Sequence, residues 1–250
     1  MNSLLAVDCV TQRFGQLVAV NEVSMLVAEG ELRAVIGPNG AGKTTFFNLI
    51  SGLFPPTSGR IYFDGKDITA LPPQRRVALG IARTFQVTEI FPELTVRENL
   101  RIAVEVTGGH RLRLWLRRRA EGEIRARVDE LLTLGGLGGK ADRLVGELSH
   151  GDQRTTEIMT SLALEPRLLL LDEPTAGMGD QETYAIAQLV RRLHRERGLT
   201  IVLVEHDMRV IFHLADRITV LSEGSMLAEG VPEEIGRNES VQTAYLGGAR

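Results

Sequence analysis

The residues best suited to chemistry form one short stretch, Gly37-Pro-Asn39-Gly40-Ala41-Gly42-Lys43-Thr44-Thr45, with the spacing G-x-x-x-x-G-K-[ST]. Gly37, Gly40 and Gly42 let the backbone turn and approach a ligand closely, so that successive N–H groups converge on an anion at a helix N-terminus. Lys43 is suited to neutralising β- and γ-phosphates, and the Thr44 hydroxyl to sitting on Mg²⁺. The candidate nucleotide contacts are therefore Gly37, Asn39, Gly40, Ala41, Gly42, Lys43, Thr44 and Thr45.

Other polar residues stand where apolar runs end. Leu168–Leu171 ends in Asp172 and Glu173, Thr200–Val204 is followed by Glu205, His206 and Asp207, and Gln86 closes the run that starts at Ile81. An aspartate beside nucleotide phosphates suits Mg²⁺, and an adjacent glutamate can orient or deprotonate an attacking water. His206 is able to hydrogen-bond a γ-phosphate and sense its loss. Adjacent residues on a strand point to opposite faces, so Glu173 is usable only where the strand ends and the chain turns.

The elements that must carry these groups follow from periodicity. Ala6–Val10 and Val20–Val27 alternate apolar and polar residues and read as two antiparallel strands, with Phe14 in the loop between them. An aromatic there either stacks on a purine or is simply buried. Leu32–Ile36 leads into the glycine-rich loop, and 44–50 read as the helix after it. Arg60–Lys66 is a short strand, Pro72-Pro73 opens a helix ending near Gly80, and 81–86 form a second central strand.

From 87 to about 165 the strand signals give way to helical ones. Thr95 and Glu98 carry the capping-box spacing, and the period over 120–134 is helical. The stretch is expected to be a helical subdomain inserted into one α/β domain spanning 1–250. Inside it, Arg111, Arg113, Arg117, Arg118 and Arg119 surround Leu112, Leu114, Trp115 and Leu116, either a solvated arginine face or a surface for anionic lipid headgroups. Leu168–Leu171 and 200–204 read as buried strands, 181–197 as a helix, and 218–221 with 226–229 as a hairpin. Residues 231–250 are expected to be a C-terminal helical tail.

Composition excludes several classes. A chain of 250 residues with 43% hydrophobic and 24% charged residues is long enough for a sizeable core. A net charge of −3 with a pI near 6.0 gives no electrostatic reason to expect nucleic acid. Cys9 is the only cysteine, so no intrachain disulfide forms and a reducing setting is expected. A basic leader and any run of eighteen apolar residues are both lacking, so a link to the membrane is expected to run through a partner.

Taken together, the loop 37–45, Gln86, Leu148-Ser149-His150-Gly151-Asp152-Gln153, Leu168–Glu173 and His206 make the chain resemble the ATP-binding-cassette (ABC) ATPases over nearly its whole length. The implied fold is α/β, a phosphate-loop NTPase core with an N-terminal antiparallel β subdomain and an inserted α-helical subdomain. Also implied are ATP and Mg²⁺ as ligands, Glu173 as catalytic base, His206 as switch histidine, and Phe14 stacked on adenine. Gln86 would link the Mg²⁺ site, with Thr44 and Asp172, to a membrane partner. Ser149 and Gly151 would close on the ATP held by a second subunit's Lys43. The resemblance implies a dimer of ATPase subunits, identical or not, on the cytoplasmic face of the plasma membrane, bound peripherally to permease subunits and served indirectly by a periplasmic solute-binding protein. It implies no nucleic acid.

More narrowly, the chain resembles the ATPase subunits of branched-chain amino-acid importers and their relatives for urea or amides. The supporting residues are Arg83–Gln86, 107–120, Asp172–Met178, Leu227–Gly230 with Pro232–Ile235, and Ala244–Gly247. The function expected is ATP hydrolysis coupled to solute transport. Soluble relatives in DNA repair or translation carry tandem cassettes or long coiled-coil insertions, and small-molecule kinases lack the Ser149-His150-Gly151 motif. Three positions depart from the family pattern. His150 replaces a glycine, Gly179 stands where an aspartate is usual with Asp180 one place later, and Asp152 puts a carboxylate near a phosphate unless it turns away or pairs with a cation such as Arg154.

Overall fold

The computed structural model describes residues 3–84, 90–107 and 117–246, the side chains of 107, 117–120 and 246 excepted. Strands β1 (Ser3–Phe14) and β2 (Leu17–Ala28) pair antiparallel through to Phe14 opposite Leu17. Phe14 therefore closes a strand instead of lying in a loop. The two-residue turn at Gly15-Gln16 is tight enough for the ladder to continue past the point where alternation fades, and Gly15 supplies its positive φ of 59°. After β3 (Leu32–Ile36) and helix α1 (Lys43–Ser51) come β4 (Ser58–Phe63) and β5 (Lys66–Asp67), which complete a four-stranded sheet in the order β2-β1-β4-β5.

Helix α2 (Pro73–Ala78) leads to β6 (Ile81–Arg83), which begins the second sheet. Helices α3 (Val96–Thr107), α4 (Arg117–Gly135) and α5 (His150–Leu162) follow, with two 3₁₀ turns at Gly138–Lys140 and Val145–Glu147. Thr95 caps α3 reciprocally with Glu98: the Glu98 N–H donates to Thr95 Oγ1 at 3.2 Å and the Thr95 N–H donates to the Glu98 carboxylate at 2.8 Å. Then come β7 (Leu168–Asp172), α6 (Asp180–Arg197), β8 (Thr200–Val204), α7 (Met208–Leu214), the hairpin β9 (Arg217–Ser222) and β10 (Ser225–Gly230), and the tail helices α8 (Pro232–Gly236) and α9 (Glu239–Leu246).

The second sheet runs β10-β9-β3-β8-β7-β6, parallel except for β10. Its central strands are buried along their whole length, as continuous apolar runs require. Their alternation divides the core. Leu168, Leu170, Val202 and Val204 face α1 and the antiparallel sheet, whereas Leu169, Leu171, Ile201 and Leu203 face α6 and the inserted helices. The tail packs Val241 and Tyr245 against Ala34 and Ile36 of β3.

Two arginines are buried where periodicity predicts apolar residues. Arg76 donates to the carbonyls of Leu49, Ile50, Ile68, Thr69 and Leu71, so it caps the last turn of α1 and ties α2 to the antiparallel sheet. Burial pushes its guanidinium down to about 10, leaving it charged at neutral pH. Arg33, 1% exposed in the middle of β3, bonds Glu31 at 2.6 Å, Glu229 at 2.5 Å, Thr219 and the Leu26 carbonyl. It thereby joins β2, β3, β9 and β10. Arg33→Met keeps the volume but leaves Glu31 without a cation, held only by the Ala28 N–H at 2.8 Å, and leaves Glu229 with Arg217 at 3.2 Å and the Thr219 hydroxyl at 3.3 Å. A loss of about 3 kcal/mol is expected, seen as a melting temperature lower by roughly 6–12 °C. Adding Glu31→Gln and Glu229→Gln should recover most of it; no recovery would show that the charge pairing is not the cause.

Candidate functional site

The site is built where parallel strands end. The α1 side of the sheet receives Leu168 and Leu170, so Asp172, two residues further, falls on that same side at the edge from which the phosphate loop springs. Glu173 is displaced from strand alternation by its backbone. Its φ is +46°, a left-handed conformation unusual for a non-glycine residue, while its N–H still donates to the Val204 carbonyl at 2.9 Å. This turn brings both carboxylates to one centre, which resolves the opposite-face conflict posed by their adjacency.

A cleft of about 560 Å³ is lined by Leu17, Val18 and Ala19, by Asn39–Thr45, and by Glu173, His206, Glu223 and Gly224. Within it His206 Nε2 lies 2.7 Å from Glu173 Oε1. Lys43 donates to the Gly37 and Pro38 carbonyls at 2.7 and 3.0 Å, which holds the loop in its curve and leaves one of three ammonium donors for a ligand. Burial pulls the Lys43 ammonium below its ordinary range, opposed by the charges of Glu173 and Asp172. Gly42, with φ +93°, begins α1 where a Cβ would lie 2.3 Å from the Ala19 carbonyl oxygen. Only glycine fits there, and its position lets the antiparallel sheet close one wall of the cleft.

Asp172 is fully buried, and burial raises its carboxyl above the usual range against the opposing effect of Arg83. Arg83 Nη2 bonds Oδ2 at 2.8 Å, and Oδ1 has no hydrogen-bond partner among the described residues. The orphaned carboxylate oxygen of Asp172 and the exposed Thr44 hydroxyl are both hard oxygen donors of the kind that suits Mg²⁺, which is usually held by one or two protein groups together with phosphate oxygens. The residues present thus fit the ion. Gln86 and residues 111–116 of the arginine-rich stretch lie outside the described residues, as do the side chains of Arg117, Arg118 and Arg119.

Three side chains inconspicuous in the sequence organise the rest. Glu205, 3% exposed, accepts from the Thr175 N–H and hydroxyl and from the His206 N–H, fastening the chain on either side of Glu173 and His206. Glu182 on α6 accepts from the Gly151 N–H at 3.2 Å. Lys140 pairs with Asp152 at 2.6 Å. Of the two alternatives for Asp152, turning away or pairing with a cation, the structure shows the pair, and the cation is Lys140; Arg154 bonds Glu157 at 2.6 Å and the Asp172 carbonyl, because a side chain two residues along a helix points away. Asp180 starts α6 after Gly179 and pairs with Arg209 at 3.1 Å.

The expected residues therefore separate into two groups. Asn39–Thr45, Glu173 and His206 share the cleft; Gly37 meets it through its carbonyl on Lys43, and Asp172 lines a neighbouring pocket together with Glu173. Ser149 and Gly151 do not line it. They open α5, where the Ser149 hydroxyl accepts from the Asp152 N–H as an N-cap. Phe14 is 49% exposed, packed edge-on against Phe54 at 5.6 Å and paired with Leu17 of the cleft wall.

A phosphate loop before the first helix, carboxylates at the end of a buried parallel strand and a capped helix outside the cleft define a nucleotide-hydrolysing cassette. The family comparison is specific: the ABC transporter model matches residues 20–176, and a model described as branched-chain amino acid ATP-binding cassette transporter matches 225–250. The chain is 42% identical over 98% of both chains to the high-affinity branched-chain amino acid transport ATP-binding protein LivG of Salmonella typhimurium. It is 40% identical, again over 98% of both, to BraF of Pseudomonas aeruginosa, which carries the same description. Among solved structures, a nucleotide-free ATP-binding cassette from an ABC transporter superposes with a TM-score of 0.85 at 30% identity, covering 98% of this chain and 99% of that one. A cassette in its ADP conformation gives 0.85 at 29%, covering 99% and 100%. The chain belongs to the ATP-binding subunits of ABC transporters. It binds nucleotide, and its reaction is ATP hydrolysis coupled to transport.

Glu205→Ala should strand three donors around Thr175 and His206 without touching the phosphate loop. Turnover is expected to fall about tenfold or more and stability by about 2 kcal/mol, while nucleotide affinity stays within about twofold. A variant that loses affinity but keeps turnover would refute the positioning role.

Proposed function

We propose that the chain is the ATPase subunit of an importer for branched-chain amino acids, working as a dimer of identical or paired ATPase subunits bound to permease subunits at the cytoplasmic face of the membrane. Among the described residues no helix is long and apolar enough to cross a membrane, so docking on permeases supplies the attachment. The substrate class rests on the likeness to the two branched-chain relatives and on the tail match at 225–250.

The observation that carries the mechanism is the convergence of Lys43, Glu173 and His206 on one cleft that Ser149 and Gly151 do not reach. ATP phosphates lie along Gly37–Thr45, gripped by loop N–H groups and Lys43, with Phe14 stacked on the adenine from the cleft rim. Thr44, Asp172 and Gln86 would hold Mg²⁺, which would supply positive charge to the phosphates during hydrolysis. Glu173 takes the proton of the attacking water, and His206, already 2.7 Å from it, holds its carboxylate in place and contacts the γ-phosphate. Hydrolysis waits for a second subunit, whose Ser149 and Gly151 complete the phosphate cage from a helix N-terminus once the Gly151 N–H exchanges Glu182 for phosphate. Closing with ATP and opening after phosphate release then drive the permease through Gln86 and the helical subdomain of 87–165.

Glu173→Gln removes the base but keeps the shape. Turnover should fall by about 10² or more with ATP affinity preserved and a closed dimer trapped. A variant with unchanged turnover would remove Glu173 from the role. For the solute, proteoliposomes holding the assembled transporter should show ATPase stimulation by the cognate binding protein with leucine, isoleucine or valine. Stimulation by urea or a short amide in their place would move the substrate class.

A further inference from the structure

The first turn of α5 carries a charge that the proposed role of that helix does not tolerate. Asp152 is one turn from the helix start, where a partner's triphosphate would arrive, and a bare carboxylate there opposes an anion already surrounded by donors. Its Oδ2 receives two donors: Lys140 Nζ at 2.6 Å and the Ser149 hydroxyl at 3.2 Å. The Asp152 N–H returns a bond to Ser149 Oγ at 3.3 Å. The two residues therefore lock each other, and Lys140 is the cation that compensates the pair.

Lys140 reaches Asp152 from the 3₁₀ turn Gly138–Lys140, a segment separate from α5, and that turn is anchored on the preceding chain by the Lys140 N–H donating to the Leu137 carbonyl at 2.9 Å. Its side chain is 41% exposed and that of Asp152 is 22%, so the pair sits at the surface where an incoming subunit would cover it. A pair of this exposure contributes little to the fold by itself. Its value rises when an anion and a protein surface displace the water around it. Arg154, the nearest alternative in the sequence, is committed to Glu157 and the Asp172 carbonyl.

We infer that Lys140 is a positioning residue of the composite site: it cancels the Asp152 charge that would otherwise repel the γ-phosphate held by the other subunit, and it holds the Asp152 carboxylate on the first turn of α5. The inference rests on the dimeric reading given above. Lys140 never touches the nucleotide of its own subunit, so binding to an isolated chain is independent of it.

The test is a charge cycle in the full-length chain carrying Glu173→Gln, which holds ATP without turning it over. ATP-dependent association is followed by analytical ultracentrifugation, and ATP affinity of the dilute monomer by a fluorescent ATP analogue. Lys140→Met should weaken association roughly tenfold, more at low salt than at high, with monomer affinity unchanged. Adding Asp152→Asn to Lys140→Met should restore association, since the carboxylate no longer needs a cation, and Lys140→Arg should keep it. A lost structural contact would not be rescued by removing its partner's charge. Lys140→Met associating as tightly as its parent, or no rescue by Asp152→Asn, overturns the inference alone. A parent that stays monomeric at saturating ATP overturns the composite-site reading and the inference with it.

Discussion

A carboxylate without access to water governs the centre of this molecule. Asp172 ends a strand buried on both faces, and nothing in the surrounding aliphatic core can stabilise a charge. The protein answers with neighbours brought from distant parts of the chain. Arg83 arrives from the adjacent strand β6 and also binds Asn48 and Ser51 of α1, at 2.6 and 2.8 Å, so one guanidinium ties the phosphate-loop helix to the strand that carries the aspartate. The remaining oxygen is left for a cation. Holding a charge in a dry place is unfavourable for folding, and that same dryness strengthens its interaction with whatever charge arrives.

The same pattern of buried charge under tension from several sides recurs away from the site. Arg33 and Arg76 are the largest fully buried side chains among the described residues, and each lies where two layers meet. Arg76 spends its donors on carbonyls alone, so no partner anion is needed. Arg33 gathers two glutamates and thereby clamps the strand before the phosphate loop to the hairpin β9–β10. The loop is consequently mounted on a strand held from both sides, which is the rigidity a preformed anion site needs. The close approach of Ala19 to Gly42 and of Leu221 to Gly37 locks the loop from the walls as well.

The cleft residues and the start of α5 stand on separate parts of the fold. Glu173 and His206 follow strand ends of one sheet and Lys43 opens α1 after the phosphate loop, while Ser149 and Gly151 begin α5. On the dimeric reading proposed above, one chain holds both halves of a composite site without bringing them together. The helix that presents Ser149 is fastened to the catalytic side through Glu182, which meets Gly151, and through Arg154, which meets the Asp172 carbonyl. The position of the helix is thereby tied to the surroundings of the two carboxylates.

The sequence by itself determined the elements that local rules write down. Strict motif spacing located Gly37–Thr45, continuous apolar runs located β3, β7 and β8, and Thr95 with Glu98 marked the start of α3, because backbone propensity and capping act within a few residues. Alternation failed at Phe14, where a tight turn carried pairing beyond the visible pattern. What only the tertiary structure decided were contacts between segments far apart in the chain: Glu205 with Thr175, Arg33 with Glu229, Arg83 with Asp172, Lys140 with Asp152. No periodicity predicts which cation will meet a given carboxylate, since that depends on where strands and loops are delivered by packing. The positive φ of Glu173 belongs to the same category: a glutamate adopts it only because the end of β8 and the loop beyond Pro174 hold it there.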